Sequence, residues 1–488
     1  MSNSLLARTA SVADRAVAAY AGSPVEAASV EIRRRLDLPV QVAIAGKVKV
    51  GKSTLLNALV GEELAPTNAS ECTRIVTWYR RAEVTQVTAV PYQGSPHPVA
   101  FSRNGALDVE LGAESAESLR WLMVDWPTER LRAMTLVDTP GIASLSTDLS
   151  QRTTAFLDPT SEDPGTVDAV IYLMRHMHTA DVRLLESFHD HDLAQPNPVN
   201  CIAVLSRADE IGVCRLDAMK SAHAIADRYI VQPSIRRLVQ DVVPVAGLLA
   251  QAAVSLREEE FRFLRSMAQA GVRSNSPVLG SVQELSAADT EIDDVVSASV
   301  RRALVERFGL FGVRWAMEWL SRAPEATATE LAEALAKVSG LTHLREIVMQ
   351  QIAARSGLLK ARSAMTALTR LAATNPVNGL SEELEALAAG AHELAELRML
   401  NALRLGAVPL KDDQLAEAEQ ILERSGQAAA ARIGLPPDAE VGEVRRKLLA
   451  SLETWQKRAE NPLSKQAVVD ACRVLIRSYE GMLTDLAG

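Results

Sequence analysis

The chain has 488 residues, 48% of them apolar, and a formal net charge of −9. Two or three domains with sizeable cores are therefore expected, and the broad basic field of a nucleic-acid binder is excluded. Cys72, Cys201, Cys214 and Cys472 lie far apart with no C-x-x-C spacing, which fits a reducing compartment without a disulfide framework or a zinc site.

Residues 1–37 read as an amphipathic neck helix interrupted at Gly22-Ser23-Pro24, with Leu5, Leu6, Val12, Ala16, Val17 and Tyr20 near the helical period. Met1 to Tyr20 carries Arg8, Asp14 and Arg15 and so lacks the apolar core of a signal peptide. No run approaches the roughly 20 apolar residues of a membrane span. The reading at this point is a cytoplasmic chain or one peripheral to a membrane. The first helix needs a partner from elsewhere, and the last helix of the chain is the expected one.

Residues 38–250 alternate strand and helix, the pattern of a mostly parallel sheet with helices on both faces. Val40 to Ala45 is a short apolar strand. It delivers Gly46-Lys47-Val48-Lys49-Val50-Gly51-Lys52-Ser53, and Thr54 continues into a helix. This is the phosphate-binding P-loop, G-x-x-x-x-G-K-S, in the strand-to-helix context the pattern requires. Its glycines let the backbone bend around phosphate oxygens. The loop N–H groups and the helix N-terminus attract the negative charge. Lys52 reaches the outer phosphates and the Ser53 hydroxyl can ligate Mg²⁺.

Ala133 to Val137 forms the strand leading to Asp138-Thr139-Pro140-Gly141, a D-x-x-G motif. Asp138 can hold the Mg²⁺ shell through water, and the Gly141 N–H can meet a γ-phosphate. Val167 to Met174 is the next strand. Val199 to Leu205 leads into Ser206-Arg207-Ala208-Asp209. An aspartate here can accept two hydrogen bonds from the guanine edge, and the Arg207 plane can stack on a base. Val242 to Gly247 is a short strand ending in small residues, Ala246 among them, suited to backing the guanine.

Residues 251–488 read as helical. One helix is expected to continue from Leu248 to Ala270, with further helices over about 285–321 and 326–338. A single long helix from Leu341, carrying Leu344, Ile347, Val348, Ile352, Leu359, Met365, Leu368 and Leu371, would reach roughly 45 Å. A second follows Asn375-Pro376-Val377-Asn378-Gly379, and a terminal pair is split at Asn461-Pro462. The turns Asn375 to Leu380 and Leu405 to Lys411 are candidate membrane-facing tips; the second has three large apolar side chains beside a lysine.

The order P-loop, D-x-x-G, x-R-x-D and small-residue loop resembles a GTP-binding domain. Six stretches narrow the resemblance: Ala65-Pro66-Thr67, Ala69 to Trp78, Ser206 to Gly212, Glu306-Arg307-Phe308-Gly309, Arg355 to Ala361 and Glu396 to Leu400. Through them most of the chain resembles the bacterial dynamin-like proteins, in particular the isoniazid-induced branch of mycobacteria. The resemblance implies an α/β P-loop GTPase domain joined to an all-α neck and trunk. It implies GTP or GDP with Mg²⁺ as cofactors, slow hydrolysis, and work on membranes. The implied partners are membrane lipid, at the inner face of the plasma membrane, and a second copy or a larger dynamin-like paralogue, with no nucleic acid. Thr73, or Thr77 close by, takes the role of the threonine that closes on Mg²⁺ and γ-phosphate.

Two departures from that family stand out. Val48 and Lys49 occupy loop positions where dynamin relatives hold a water-orienting glutamine or serine. Val48 cannot orient water. Lys49 either brings a positive charge to the β/γ bridge or points to solvent as most lysines do. The Ser206-Arg207 pair replaces Asn-Lys. Two readings from other classes stand beside this one: a nucleotide-binding scaffold that hardly hydrolyses, favoured by Val48 and acting as partner of a larger dynamin-like paralogue, and a ribosome- or RNA-linked GTPase, which the net acidity and the missing basic appendage disfavour.

Overall fold

The computed structural model describes residues 4–66, 75–104, 106–111, 115–140, 167–176, 181–182, 185, 200–236, 238–272, 276–287, 294–404, 406–423 and 428–486. Thr73, Gly141 and Leu405 lie outside the described residues.

The chain opens with helices α1 (Leu5–Tyr20) and α2 (Glu26–Arg35), followed by β1 (Val40–Gly46) and α3 (Lys52–Val60). Strands β2 (Thr77–Arg81), β3 (Gln86–Pro91), β4 (His97–Pro98), β5 (Ala100–Asn104), β6 (Ala106–Glu110) and β7 (Leu119–Trp126) come next. Then follow β8 (Met134–Asp138), β9 (Ala169–Met174), β10 (Cys201–Ser206), α4 (Ala218–Ile230) and β11 (Val242–Val245).

One nine-stranded sheet has the order β11-β10-β9-β1-β8-β2-β7-β3-β4, and β5 pairs with β6 alone. From β11 to β8 every pairing is parallel. Each of β1, β9, β10 and β11 is buried along its whole length, as expected of parallel strands covered on both faces. Beyond β8 the sheet is mixed: β2 runs antiparallel to β8 and parallel to β7, and β3 is antiparallel to both its neighbours. In this part the runs Ile75 to Tyr79 and Val84 to Tyr92 read as β-rich in the sequence and correspond to β2 and β3, whereas β4 to β7 were not expected.

Register decides where ligands can sit. Ile44 pairs with Asp138, Gly46 with Leu173, and Ser206 with Val245. The motif-bearing ends of β1, β8 and β10 therefore meet at the carboxyl edge of the parallel strands, where open α/β sheets bind their ligands.

The C-terminal half is helical: α5 (Gly247–Val254), α6 (Glu258–Gln269), α7 (Ala298–Arg322), α8 (Ala328–Val338), α9 (Leu341–Gln351), α10 (Ser356–Thr374), α11 (Leu380–Gly390), α12 (His392–Arg404), α13 (Asp412–Glu423), α14 (Val441–Ala459) and α15 (Gln466–Asp485). One sheet face, with Val42 and Ile44, shares its core with α3, α1 and the α9–α15 bundle. The other, with Ala43, Ala45 and Tyr172, packs under α4 to α8.

Several expectations are corrected. Helix α1 packs chiefly on α10, α2 and α11, and α15 packs chiefly on α14 and α12. The first and last helices are therefore not the expected pair. The buried stripe of α1 includes Ala13 and Ala16, which let α10 approach closely, and Tyr20 donates to Asn375 O (2.8 Å). The long helix from Leu341 is broken by a 3₁₀ turn at Ala353–Arg355, so α10 spans about 28 Å. The helix after Gly379 breaks at Ala391, which is extended (φ −82, ψ 96). The one expected over 248–270 breaks before Glu258, where Glu260 accepts from the Arg257 N–H (3.0 Å). The one expected from 285 starts at Ala298 and kinks at Gly309. In the turn before Lys411 Val408 is buried and Leu410 packs on the core, so neither of its described large apolar side chains is offered to a membrane. The other candidate tip ends in buried Leu380.

Candidate functional site

The P-loop geometry follows from its glycines. Gly46 has φ +148, and a Cβ there would lie 2.5 Å from Leu173 O on the neighbouring strand. Gly51 has φ +99 and hands the chain to α3. Between them Lys49 adopts a left-handed conformation (φ 61) that is uncommon for a non-glycine residue. Val48 and Lys49 are both exposed.

The Lys52 ammonium curls into the loop and donates to Gly46 O and Lys47 O, both at 3.2 Å. Burial lowers its pKa, and the Asp138 carboxylate opposes that shift. Ser53 Oγ donates to Asp138 Oδ2 (3.0 Å). Asp138 Oδ1 is buried with no hydrogen-bond partner among the described residues. Burial raises the Asp138 pKa, against the pull of Lys52 and Ser53. A hydroxyl and a carboxylate with one spare buried oxygen, beside an ammonium, form a hard oxygen donor set of the kind Mg²⁺ accepts. The residues present fit that ion.

Two side chains that the sequence reading did not single out hold this constellation. Asp181, 1% exposed, takes Lys47 Nζ at 3.0 Å and the Tyr172 hydroxyl at 2.6 Å, fastening the outer limb of the loop. Asn57 accepts from the N–H groups of Leu64 (2.9 Å) and Ala65 (2.7 Å) and donates to Ala65 O (2.9 Å). It thereby fixes the chain where it leaves for residue 67 onward. An amide among Leu55, Leu56 and Ala58 on a buried helix face was a readable signal; Asp181 carried none.

The other end of the site lies at β10 and β11. Ser206 Oγ donates to Met174 O (3.1 Å). Arg207 (φ 53) donates to Glu210 (2.9 Å) and reaches across to Lys49 O (3.2 Å), tying this segment to the P-loop. Asp209 is buried in a single 3₁₀ turn, and burial pushes its carboxyl up to about 6. These groups face an open pocket of about 580 Å³ walled by Val50, Thr54, Leu173 and Leu248. Ala246 stands behind that wall: it is fully buried, and its N–H is taken by Ser339 O (2.9 Å), leaving Gly247 and Leu248 at the surface. The structure thus brings together residues 46–54, Asp138, Ser206, Arg207 and Asp209 around one crevice.

The description "Dynamin family" matches residues 42–207, which spans both ends of this crevice. Isoniazid-induced protein IniC of Mycobacterium tuberculosis is 40% identical over 459 residues, covering 93% of this chain and 92% of the relative. The chain belongs to the dynamin family. A bacterial dynamin-like protein of Nostoc punctiforme is 30% identical over 115 residues, which is 21% of this chain and 16% of that protein. A solved oligomerised bacterial dynamin pair, described as a mechanism for long-range sensing and tethering of membranes, aligns at 12% identity with a TM-score of 0.32, over 99% of this chain and 74% of that one. Likeness at that level adds nothing to the assignment. As a dynamin-family GTPase, the chain carries an α/β GTPase domain with a mostly parallel sheet and a helical C-terminal region.

Proposed function

We propose that this dynamin-family GTPase binds GTP with Mg²⁺ in the crevice above β1, β8 and β10, hydrolyses it slowly, and couples the cycle to membrane remodelling. The observation that carries this reading is the Ser53–Asp138 pair, with its spare carboxylate oxygen, beside an inward-curled Lys52. Lys52 turns from loop carbonyls to the β- and γ-phosphates. Ser53 and Asp138 would hold the metal, which would supply charge neutralisation for the phosphates. Thr73 closes over that side and the Gly141 N–H meets the γ-phosphate. Lys49, its backbone carbonyl tied to Arg207, places its ammonium at the β/γ bridge. Asp209 accepts from the guanine edge and Arg207 stacks beside it.

In domain terms, 1–37 is a neck segment, 38–250 the GTPase domain and 251–488 neck and trunk, with hinges near 271–284 and at Gly22-Ser23-Pro24. No helix among the described residues is long and apolar enough to cross a membrane. Contact with lipid on this reading is peripheral, at the inner face of the plasma membrane, and pairing is with a second copy or a larger paralogue.

The decisive experiment is phosphate release from GTP and ATP, with and without acidic liposomes. GTP turnover that exceeds ATP turnover and rises on liposomes is expected. In the same assay Lys49→Met lowers kcat at least about tenfold with GTP affinity retained; equal rates dispose of its role. A second reading is favoured by one observation: Val48 is 45% exposed where an orienting side chain is needed. On that reading the chain is a nucleotide-bound scaffold, and turnover stays at background under all conditions.

The buried Asp209 carboxyl adds a pH signature. Guanine binding needs the carboxylate, and the group titrates at about 6 in the free protein. GDP affinity should hold above pH 7 and fall toward about tenfold per pH unit well below 6, where binding must expel one proton. Calorimetry between pH 5 and 8 reads this directly. Affinity independent of pH over that range contradicts the assignment.

A further inference from the structure

The segment Glu306-Arg307-Phe308-Gly309 lies in the middle of α7, far along the chain from every nucleotide motif. Gly309 has φ 69 and ψ 164. That conformation is essentially confined to glycine, and such positions persist only where the surroundings over-determine them. The kink stands against the base-recognition turn: a Cβ at Gly309 would lie 3.3 Å from Asp209 Oδ2.

Both sides of the kink are clamped. On one side Arg307 pairs with Glu63 (2.7 Å) and Glu260 (2.5 Å) and donates to Ser255 O (2.9 Å). Phe308 and Phe311 are completely buried. On the other side Arg314 donates to Leu279 O (2.7 Å), Gly280 O (2.8 Å) and Cys214 O (2.8 Å). Cys214 closes a turn in which Gly212, Val213 and Cys214 all have positive φ, at 66, 62 and 57. Positive φ is a genuine outlier for β-branched Val213, and this turn begins directly after the Asp209 3₁₀ turn. Gly312 leaves room for Leu249 of α5, the helix whose first turn walls the pocket.

We propose that α7, an element of the helical half, is the positioning element of the guanine pocket: Gly309 sets where the Asp209 carboxylate stands, and Arg314 holds the strained turn that follows it. The inference rests on the guanine-nucleotide reading above. It also gives occupancy of the base pocket a direct mechanical contact with a 25-residue helix. Neither residue touches nucleotide; both act through Asp209. In Gly309→Ala the added methyl and the left-handed backbone force either the helix or the carboxylate to move. The two hydrogen bonds from the guanine edge then weaken, while the P-loop grip on the phosphates stays.

The test is the affinity of the full chain, with Mg²⁺, for GDP and for IDP, which lacks the 2-amino donor. The wild-type chain should prefer GDP by about tenfold or more, the value of one hydrogen bond to a charged group. In Gly309→Ala, and in Arg314→Gln, which adds no bulk to the core, that preference should collapse toward one, with GDP losing more than IDP. An equal loss for both nucleotides marks a merely structural role and overturns the inference, as does an unchanged preference in both variants. A wild-type chain indifferent between GDP and IDP overturns the guanine reading itself.

Discussion

A Lys52→Met chain should lose GTP hydrolysis by about 10²–10³-fold, the cost of removing one group aimed at developing charge, while its thermal unfolding stays within a few degrees of wild type. The two halves of this expectation have separate causes. Without nucleotide the Lys52 ammonium is buried against two carbonyl oxygens at 3.2 Å, a weak substitute for an anion. Its pKa is lowered by that burial, so the fold bears a desolvation cost for holding it charged. A methionine of similar length removes the charge and the cost together. What it cannot do is meet a triphosphate. Asp138 loses the nearby cation that offsets its own burial, so the metal side of the site weakens as well. Phosphate release and differential scanning fluorimetry on the same preparations check both halves. Turnover within tenfold of wild type would falsify the placement of the phosphates in this loop.

How far the sequence carried depends on the residue in question. The P-loop, the β8 aspartate and the β10 motif were legible because glycine spacing and short apolar runs are local signals, and the parallel register then aligned them. The helical half was legible as stripes but not as boundaries. Ile352 ends a helix without a glycine or proline at the break, and before Ala391 the one local mark is Gly390, the last residue of α11; packing against other helices decides those positions. The partner of α1 was misjudged for the same reason: a stripe states that a face is buried, not against what. Strand β7, Leu119–Trp126, is only partly buried and mixes Arg120 and Asp125 with two tryptophans, so neither alternation nor a continuous apolar run marked it. Asp181 and Gly309 show the same limit at the site. Their roles arise from contacts 134 residues away at Lys47 and across the chain at Asp209.

The largest stability effect is expected far from the nucleotide, at Glu396 on α12. This carboxylate is 2% exposed. It accepts from Arg432 Nη2 and from Ser478 Oγ, and His392 Nε2 lies 3.6 Å away. Burial holds the His392 pKa below its ordinary value, so the imidazole is neutral at pH 7 and Arg432 supplies the matching charge. Arg432 is itself 8% exposed, with its Nε given to Ile421 O (3.1 Å). Glu396→Ala therefore strands a guanidinium in the bundle core, a loss of about 3–5 kcal/mol for breaking a buried pair from one side. Replacing both partners, Glu396→Leu with Arg432→Met, should cost much less, because an apolar pair of similar volume has no charge to desolvate. A chain of several domains does not unfold in one step, so the readout is hydrogen exchange of amides in α12, α13 and α15. Protection there should fall by about two to three orders of magnitude in the single variant and largely return in the double variant. If the double variant is as exposed as the single one, the ion pair matters for its shape rather than its charge, and the electrostatic account of this core is wrong.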